Sequence, residues 1–288
     1  MINPFSQDEY DNEINRMIKM GWNLPTNLPF PTLSRGTNRD GDFVSFPQAA
    51  YETDFDNKDL ETFWGEIRSK AIFKMLADFE INTLWEIGSG DGSAAIPLTS
   101  MGIKVVCVEP IKAGADFTSD FGIQTYCSKL ENLDLPRGSV SAIGIFDVLE
   151  HIEDTRDFLT VINRALSESG KLVLSVPMYM NLFSDFDEAI GHYRRYSKDL
   201  LTRQLSISGF EILKMKYMFS YLILPAFLLR RVPYLLGRRL SYAKIHIGMN
   251  NQLSLGKYLK PIIFLLAKFE EKYKIPFGLT LIVVAEKS

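Results

Sequence analysis

The sequence predicts a doubly wound α/β fold, a largely parallel sheet covered by helices on both faces, and three observations predict it. Short apolar runs alternate with helical patterns along the middle of the chain. The first run, Leu84-Trp85-Glu86-Ile87, breaks into the turn Gly88-Ser89-Gly90-Asp91-Gly92. Gly88, Glu109, Lys129, Phe146 and Pro177 each follow the end of an expected strand, the edge where open α/β sheets bind ligands.

At 288 residues and 46% hydrophobic, the chain is long enough to bury a sizeable core. Residues 1–58 are acid-rich and broken by Pro25, Pro29 and Pro31, which predicts an irregular cap or lid. Residues 59–288 read as one domain. Phe63, Trp64, Ile67, Ala71, Ile72, Met75, Leu76 and Phe79 recur at helical spacing and predict a helix over 59–79. Strands are expected near 83–87, 104–108, 123–127, 141–146 and 171–176, with helices near 93–101, 112–121, 154–168 and 197–208, the last capped by Ser197. Alternation at this interval implies right-handed crossovers and a parallel sheet. Two final strands follow, Phe210–Phe219 and Gly278–Glu286, with a helical insertion at about 220–275 between them. Its apolar runs, Tyr221–Leu229 and Pro261–Ala267, fall well short of the ~20 residues that span a bilayer.

A net charge of −3 argues against nucleic acid as a partner. The charge is uneven, since no acidic residue occurs between Glu211 and Glu270, where Arg230, Arg231, Arg238, Arg239, Lys244, Lys257, Lys260 and Lys268 lie. Apolar helices bordered by such bases suit an anionic membrane surface, each base contributing about 1 kcal/mol; the alternatives are helices packed on each other or on a second copy of the chain, as a homodimer, or lining a substrate tunnel. Cys107 and Cys127 fall in expected buried strands without metal-ligand spacing, as inert thiols of a reducing compartment do. The N-terminus lacks a basic start followed by an apolar run. A cytoplasmic protein, peripheral at the inner face of the membrane, is expected.

The glycine turn narrows the ligand. Glycines at 88, 90 and 92 supply torsion angles and clearance that a β-carbon forbids, and the amides at the next helix start face the same space. A dinucleotide fingerprint would read G-x-G-x-x-G and present amides to a pyrophosphate. Here the spacing is G-x-G-x-G, with Glu86 two residues before the first glycine. An acid there repels phosphate and favours a cation. Glu109 closes the second strand, where a carboxylate chelates the hydroxyls of a ribose. An adenosine with a positively charged amino-acid tail fits both acids, and Asp91 either caps the following helix or joins the loop.

With these residues the sequence resembles the class I S-adenosylmethionine-dependent methyltransferases of the type 11-like branch. Glu86–Gly92 is similar to their first motif, Glu109 to their ribose acid, and Phe146-Asp147-Val148-Leu149-Glu150-His151-Ile152 to the segment after their fourth strand. The resemblance covers roughly residues 60–288. It extends to a microbial subgroup linked with polysaccharide or lipid-linked sugar synthesis, through Phe63-Trp64 and Arg68 and through the loop Gly191-His192-Tyr193-Arg194-Arg195-Tyr196. It implies a Rossmann-like sheet of seven strands in the order 3-2-1-4-5-7-6, the last two antiparallel at the edge. It also implies S-adenosyl-L-methionine as cofactor, held by Glu86, Gly88, Ser89, Gly90 and Asp91 of the turn and by Glu109 and Pro110. Lys129 and Leu130 would lie by the adenine and Phe146 near the sulfonium. Lys129 departs from the pattern, because many relatives carry an acid there to accept the adenine amino group. Trp64 and Arg68 are core residues or cofactor contacts.

Such an enzyme must align acceptor, methyl carbon and sulfur, exclude water and release a proton from the acceptor. For a hydroxyl acceptor, small or lipid-linked and possibly a sugar, histidine is the base suited to neutral pH. His192 and His151 are the candidate catalytic residues, and His246 has no motif near it. Tyr193, Arg194 and Arg195 are candidates for substrate binding, the guanidinium forks suiting a carboxylate or phosphate; alternatively one arginine pairs with Asp185, Asp187 or Glu188. Glu150 and His151 are adjacent, but no complete ligand set shows, so no metal is expected. Two other functions fit less well. A nicotinamide-dependent sugar epimerase or dehydrogenase would need another glycine spacing and a Tyr followed by Lys four residues later, which is missing. A non-catalytic S-adenosylmethionine-binding protein at the membrane surface would not require the intact acids.

Overall fold

A computed structural model describes residues 63–238 and 261–288. The expected cap, 1–58, lies outside the described residues, as do Arg239, Lys244, His246, Lys257 and Lys260.

Seven described strands form one sheet in the order β3-β2-β1-β4-β5-β7-β6. β1 (Thr83–Ile87), β2 (Lys104–Val108), β3 (Gln124–Tyr126), β4 (Val140–Phe146) and β5 (Leu166–Pro177) run parallel. β7 (Thr280–Lys287) enters antiparallel between β5 and β6 (Phe210–Met218). Side chains alternate across the pleat. Trp85, Ile87, Val106 and Val108 therefore enter one apolar layer, and Leu84, Val105 and Cys107 enter the other. Strands buried on both faces must read as continuous apolar runs, which is why this sheet was legible in the sequence.

The helices are α1 (Phe63–Leu76), α2 (Ala95–Ser100), α3 (Lys112–Asp120), α4 (Thr155–Ala165), α5 (Asp185–Ala189) and α6 (Lys198–Ile207). α4 starts where the Asp154 carboxylate accepts from the Arg156 and Asp157 amides, and α6 where the Ser197 hydroxyl accepts from Leu200 at 3.2 Å. Three expectations need adjustment. The helix expected to reach residue 79 ends at Leu76. The helix expected to reach residue 168 stops at Ala165, and β5 begins at Leu166. There Gly170 packs so closely that a β-carbon would lie 2.7 Å from the Ser167 carbonyl oxygen, and the β4 pairing shifts register between Val140 and Ala142. Cys127 lies one residue beyond β3 and is only half-buried, because the Ser128 amide turns back onto Tyr126 and ends that short strand. Cys107 is buried as expected.

The insertion between β6 and β7 is helical: α7 (Ile223–Ala226), a π-turn over Phe227–Arg231, α8 (Val232–Leu235), and α9, whose described part spans 261–273. It is pinned by Glu270, whose buried carboxylate accepts from the Phe219 and Ser220 amides at 2.8 and 2.6 Å. Phe219 in turn stacks on Trp64 of α1 at 3.9 Å between ring centres. Outward from this anchor, Leu224, Leu228, Leu229, Leu235, Leu236, Ile262, Leu265 and Phe269 are exposed. No helix of the described residues is long and apolar enough to cross a membrane.

Candidate active site

All three turn glycines adopt the left-handed backbone, with φ of 73°, 55° and 71° at Gly88, Gly90 and Gly92. At Gly88 a β-carbon would approach Val148 Cγ2 to 2.8 Å, so the absent side chain lets the β4 loop close on the turn. At Gly92 it would meet Ile96 and Thr118, both at 2.9 Å, which gives this glycine a role in packing α2 against α3. Asp91 is exposed and its carboxylate accepts from the Ser93 amide at 3.0 Å, a local cap rather than a buried contact. Ser89 is buried beside it.

Glu109 links two strand ends. Its Oε2 accepts from the Gly90 amide and its Oε1 from the Ile111 amide, each at 2.8 Å. An ionised carboxylate has about four acceptor sites, so two remain, the number the expected ribose contact requires. Burial pushes its pKa up to about 7 against the pull of those two amides. Glu86 is more perturbed: burial raises it to about 8, Arg68 opposes the rise, and Asp91 and Glu109 add to it. Its Oε2 is buried with no hydrogen-bond partner among the described residues. An unpartnered buried carboxylate is costly unless a donor or cation satisfies it. The positively charged tail of the expected cofactor is such a group, and the donor set here fits it.

Other expected cofactor residues are placed less openly. Leu130 is in the core, so what it offers an adenine is backbone; Lys129 precedes it with its carbonyl accepting from the Ser128 hydroxyl at 3.0 Å, and Pro110 follows Glu109 with its carbonyl towards Cys127. Phe146 folds back over Gly144 into the apolar layer with Leu84 and Val173. Arg68, buried in α1, pairs with Asp147 and donates to the Ser93 hydroxyl at 3.0 Å, tying the β4 loop to the glycine turn. Asp147, held at φ 56° by a bond from Ser175 as well, was not singled out in the sequence.

Beyond that loop lies the second part of the site. The chain after β5 returns through a parallel bridge, Met178 to Tyr196, and the Tyr193 amide donates to the Glu150 carbonyl at 2.9 Å. This brings His192 onto Glu150 and His151. The two imidazoles meet edge to face at 4.6 Å between centres, and His192 Nε2 is 3.8 Å from Glu150 Oε1. His192 Nδ1 lies 2.9 Å from Asp187, a fully buried carboxylate that also takes a 2.7 Å bond from Arg195 Nε and closes a capping box with Ser184 at the start of α5. Burial would raise the Asp187 pKa, but the His192 bond and Arg195 outweigh it and leave it below the usual range. Burial, together with His192, lowers His151 to about 3, and a bond to the Gly191 backbone opposes the change. Burial and Asp147 raise Glu150 well above the usual range.

Of the two loop arginines, Arg195 takes the pairing with Asp187 that the sequence left open, and its burial there removes it from the candidates for substrate binding. Arg194 donates to the Glu153 carbonyl at 2.9 Å and lies over the ring of the exposed Tyr193. A contact the sequence did not show comes from the insertion. Arg230 stacks 4.1 Å over Phe186, Arg231 donates to the Phe183 carbonyl at 2.6 Å, and Tyr234 donates to Glu188 at 2.6 Å. Both arginines therefore face the segment from Phe183 into α5 that holds Asp187.

Residues 85–174 match the model of the methyltransferase domain family. A probable S-adenosylmethionine-dependent methyltransferase of Mycobacterium tuberculosis is 28% identical over 188 residues, 62% of this chain and 68% of that protein. Among solved structures, the methyltransferase in the complex with the Trm112 activator of Haloferax volcanii has a TM-score of 0.57 at 16% identity, covering 84% of this chain and 98% of that one. An S-adenosylmethionine-dependent methyltransferase of Thermotoga maritima has a TM-score of 0.51 at 16% identity, covering 79% and 90%. At such identities these two structures speak for the fold.

Proposed function

We propose that this chain, a class I S-adenosylmethionine-dependent methyltransferase of the Rossmann superfamily, passes its methyl group to an oxygen atom of a small or lipid-linked acceptor, a sugar among the candidates, met at an anionic membrane surface. When bound, S-adenosyl-L-methionine supplies an activated methyl group on a sulfonium. The protein's share is to hold it and to position the acceptor. Glu86 balances the cationic tail and Glu109 takes the ribose, with the glycine turn between them.

The observation that carries the acceptor reading is the meeting of His192, His151 and Glu150 just beyond Val148, the residue against which Gly88 closes. Polar side chains that desolvated are suited to an acceptor whose oxygen must lose a proton, and Tyr193 and Arg194 lie at the exposed edge of the same loop. The membrane part rests on the exposed leucines of the insertion, which lie in a stretch without acids. Because Arg230 and Arg231 face α5, the bases left for lipid headgroups include Arg238 and Lys268, both exposed.

The test is to incubate the purified chain with methyl-labelled S-adenosylmethionine and a lipid extract of the source cells. Label recovered as an O-methyl group in the organic phase, and lost with His192→Ala, is the expected result. Label found only on nitrogen or carbon, or only in water-soluble product of no lipid-linked precursor, would remove the corresponding part of the proposal.

A further inference from the structure

We propose that Glu150, His151 and His192 bind one divalent transition-metal ion. Each side chain offers one ligand atom, and these atoms all lie within 4.8 Å of one another. Ligands around a tetrahedral zinc ion, with bonds of about 2.0–2.1 Å, sit about 3.3 Å apart. His192 Nε2 and Glu150 Oε1, now 3.8 Å apart, need only a small side-chain rotation to reach that spacing.

The surroundings of the three side chains point the same way. A metal-binding histidine usually donates its other ring N–H to a carboxylate or a backbone carbonyl, which fixes the tautomer and turns the ring. His192 has this arrangement through Nδ1 and the buried Asp187, at 2.9 Å. His151 has it through the backbone of Gly191. Asp187 is itself held by Arg195 Nε and the Ser184 amide, so the orientation of His192 is fixed by two further elements. The third member supplies an independent sign. Glu150 is 1% exposed, and its Oε2 has no hydrogen-bond partner among the described residues. A carboxylate oxygen buried without a donor is the kind of group a cation satisfies.

Two imidazoles and one carboxylate favour a borderline ion such as Zn2+, Co2+ or Ni2+ over Mg2+, Ca2+ or Mn2+, which prefer oxygen ligands. Three protein ligands leave coordination positions for water or for an oxygen of the acceptor. That last role rests on the methyl-transfer reading above. In it the histidines act on the acceptor hydroxyl through the ion, which lowers the pKa of an oxygen bound to it. The binding itself does not depend on the reading.

The experiment uses the full chain, stripped with a chelator and titrated with Co2+, read by its visible d–d absorption and by calorimetry, with Zn2+ as competitor. One Co2+ per chain, displaced by Zn2+, and at least tenfold weaker binding in both Glu150→Gln and His192→Ala are expected. Glu150→Gln is nearly isosteric, so it keeps the test sound should His192→Ala disturb Asp187. S-adenosylhomocysteine binding, measured on the same samples, reports folding and the cofactor cleft separately. No d–d bands up to millimolar Co2+ in protein that still binds S-adenosylhomocysteine would overturn the metal site alone. Binding left unchanged by both substitutions would overturn it as well. Loss of S-adenosylhomocysteine binding in the unaltered chain would strike the methyltransferase reading instead.

Discussion

Replacing Glu109 separates the role its geometry shows, a tie between two loops, from the ribose role proposed for it. Its oxygens accept one amide each, from Gly90 and Ile111 at 2.8 Å, in a site only 2% exposed. Glu109→Ala leaves two buried donors without an acceptor, at roughly 1–3 kcal/mol each, so a loss of about 2–6 kcal/mol of stability is expected. Glu109→Gln keeps one acceptor and turns an NH2 towards the other amide, so about half that loss follows. The proposed ribose contact would add a second effect, because the two remaining acceptor sites of the carboxylate are lost in Ala, and in Gln one becomes a donor. S-adenosylhomocysteine should bind at least tenfold more weakly to Glu109→Gln, equivalent to about 1.4 kcal/mol. Denaturant unfolding gives the first quantity and calorimetric titration below the unfolding range gives the second. A Gln variant that is destabilised yet binds with unchanged affinity would refute the ribose role and leave Glu109 as a tie between loops.

Three further outcomes are expected. Gly88→Ala must place a side chain at φ 73° and 2.8 Å from Val148 Cγ2, so strain of about 1–2 kcal/mol and overpacking of about 1–3 kcal/mol add; a melting temperature within 2 °C of the parent's would contradict this, given the ~2–4 °C per kcal/mol usual for larger domains. Folding raises Glu109 to about 7 and Glu86 to about 8 from 4.5, so the folded cofactor-free chain binds more protons than the unfolded one. Their contribution is therefore fully present below pH 4.5 and is lost as pH climbs through about 7 to 8. A cationic cofactor favours the ionised acids, so its binding should release protons at pH 6–7 and tighten towards pH 8, as titration in buffers of different ionisation enthalpy would show; proton uptake would refute it. Leu228→Asp with Leu265→Asp, both on the exposed face of the insertion, should abolish co-sedimentation with anionic vesicles while leaving S-adenosylhomocysteine affinity intact. Unchanged sedimentation would remove the membrane surface from the proposal.

Local signals carried the sheet and the part of the candidate site built on the glycine turn. β1 and β2 fall where the apolar runs placed them, because strands buried on both faces leave no choice of residue type. The turn glycines were legible because left-handed torsions are a local requirement, whereas the clash that excludes a β-carbon at Gly88 comes from Val148 of the distant β4 loop. Glu109 was placed by counting to the end of the next strand, and its bond to Gly90 follows from the parallel pairing of β1 with β2. The end of β3 and the start of β5 were misplaced by a few residues: a turn amide ends β3 at Tyr126, and β5 already begins at Leu166, ahead of the apolar run that signalled it.

The part of the candidate site around His192 was decided by tertiary structure. His192 is 41 residues from His151, and nothing in either segment's periodicity states that the loop after β5 returns to bridge Met178 with Tyr196 and lay His192 against Glu150. Sequence could therefore show Glu150 and His151 only as neighbours that rarely share a metal, and Arg230 and Arg231 only as bases bordering an apolar run. The fold turned those arginines onto α5 and made Asp187 the common partner of His192 and Arg195. The physical reason is that an apolar pattern records how much of a residue is buried, whereas the partner of a polar side chain depends on which distant loop closes over it, and that is fixed only when the chain has packed.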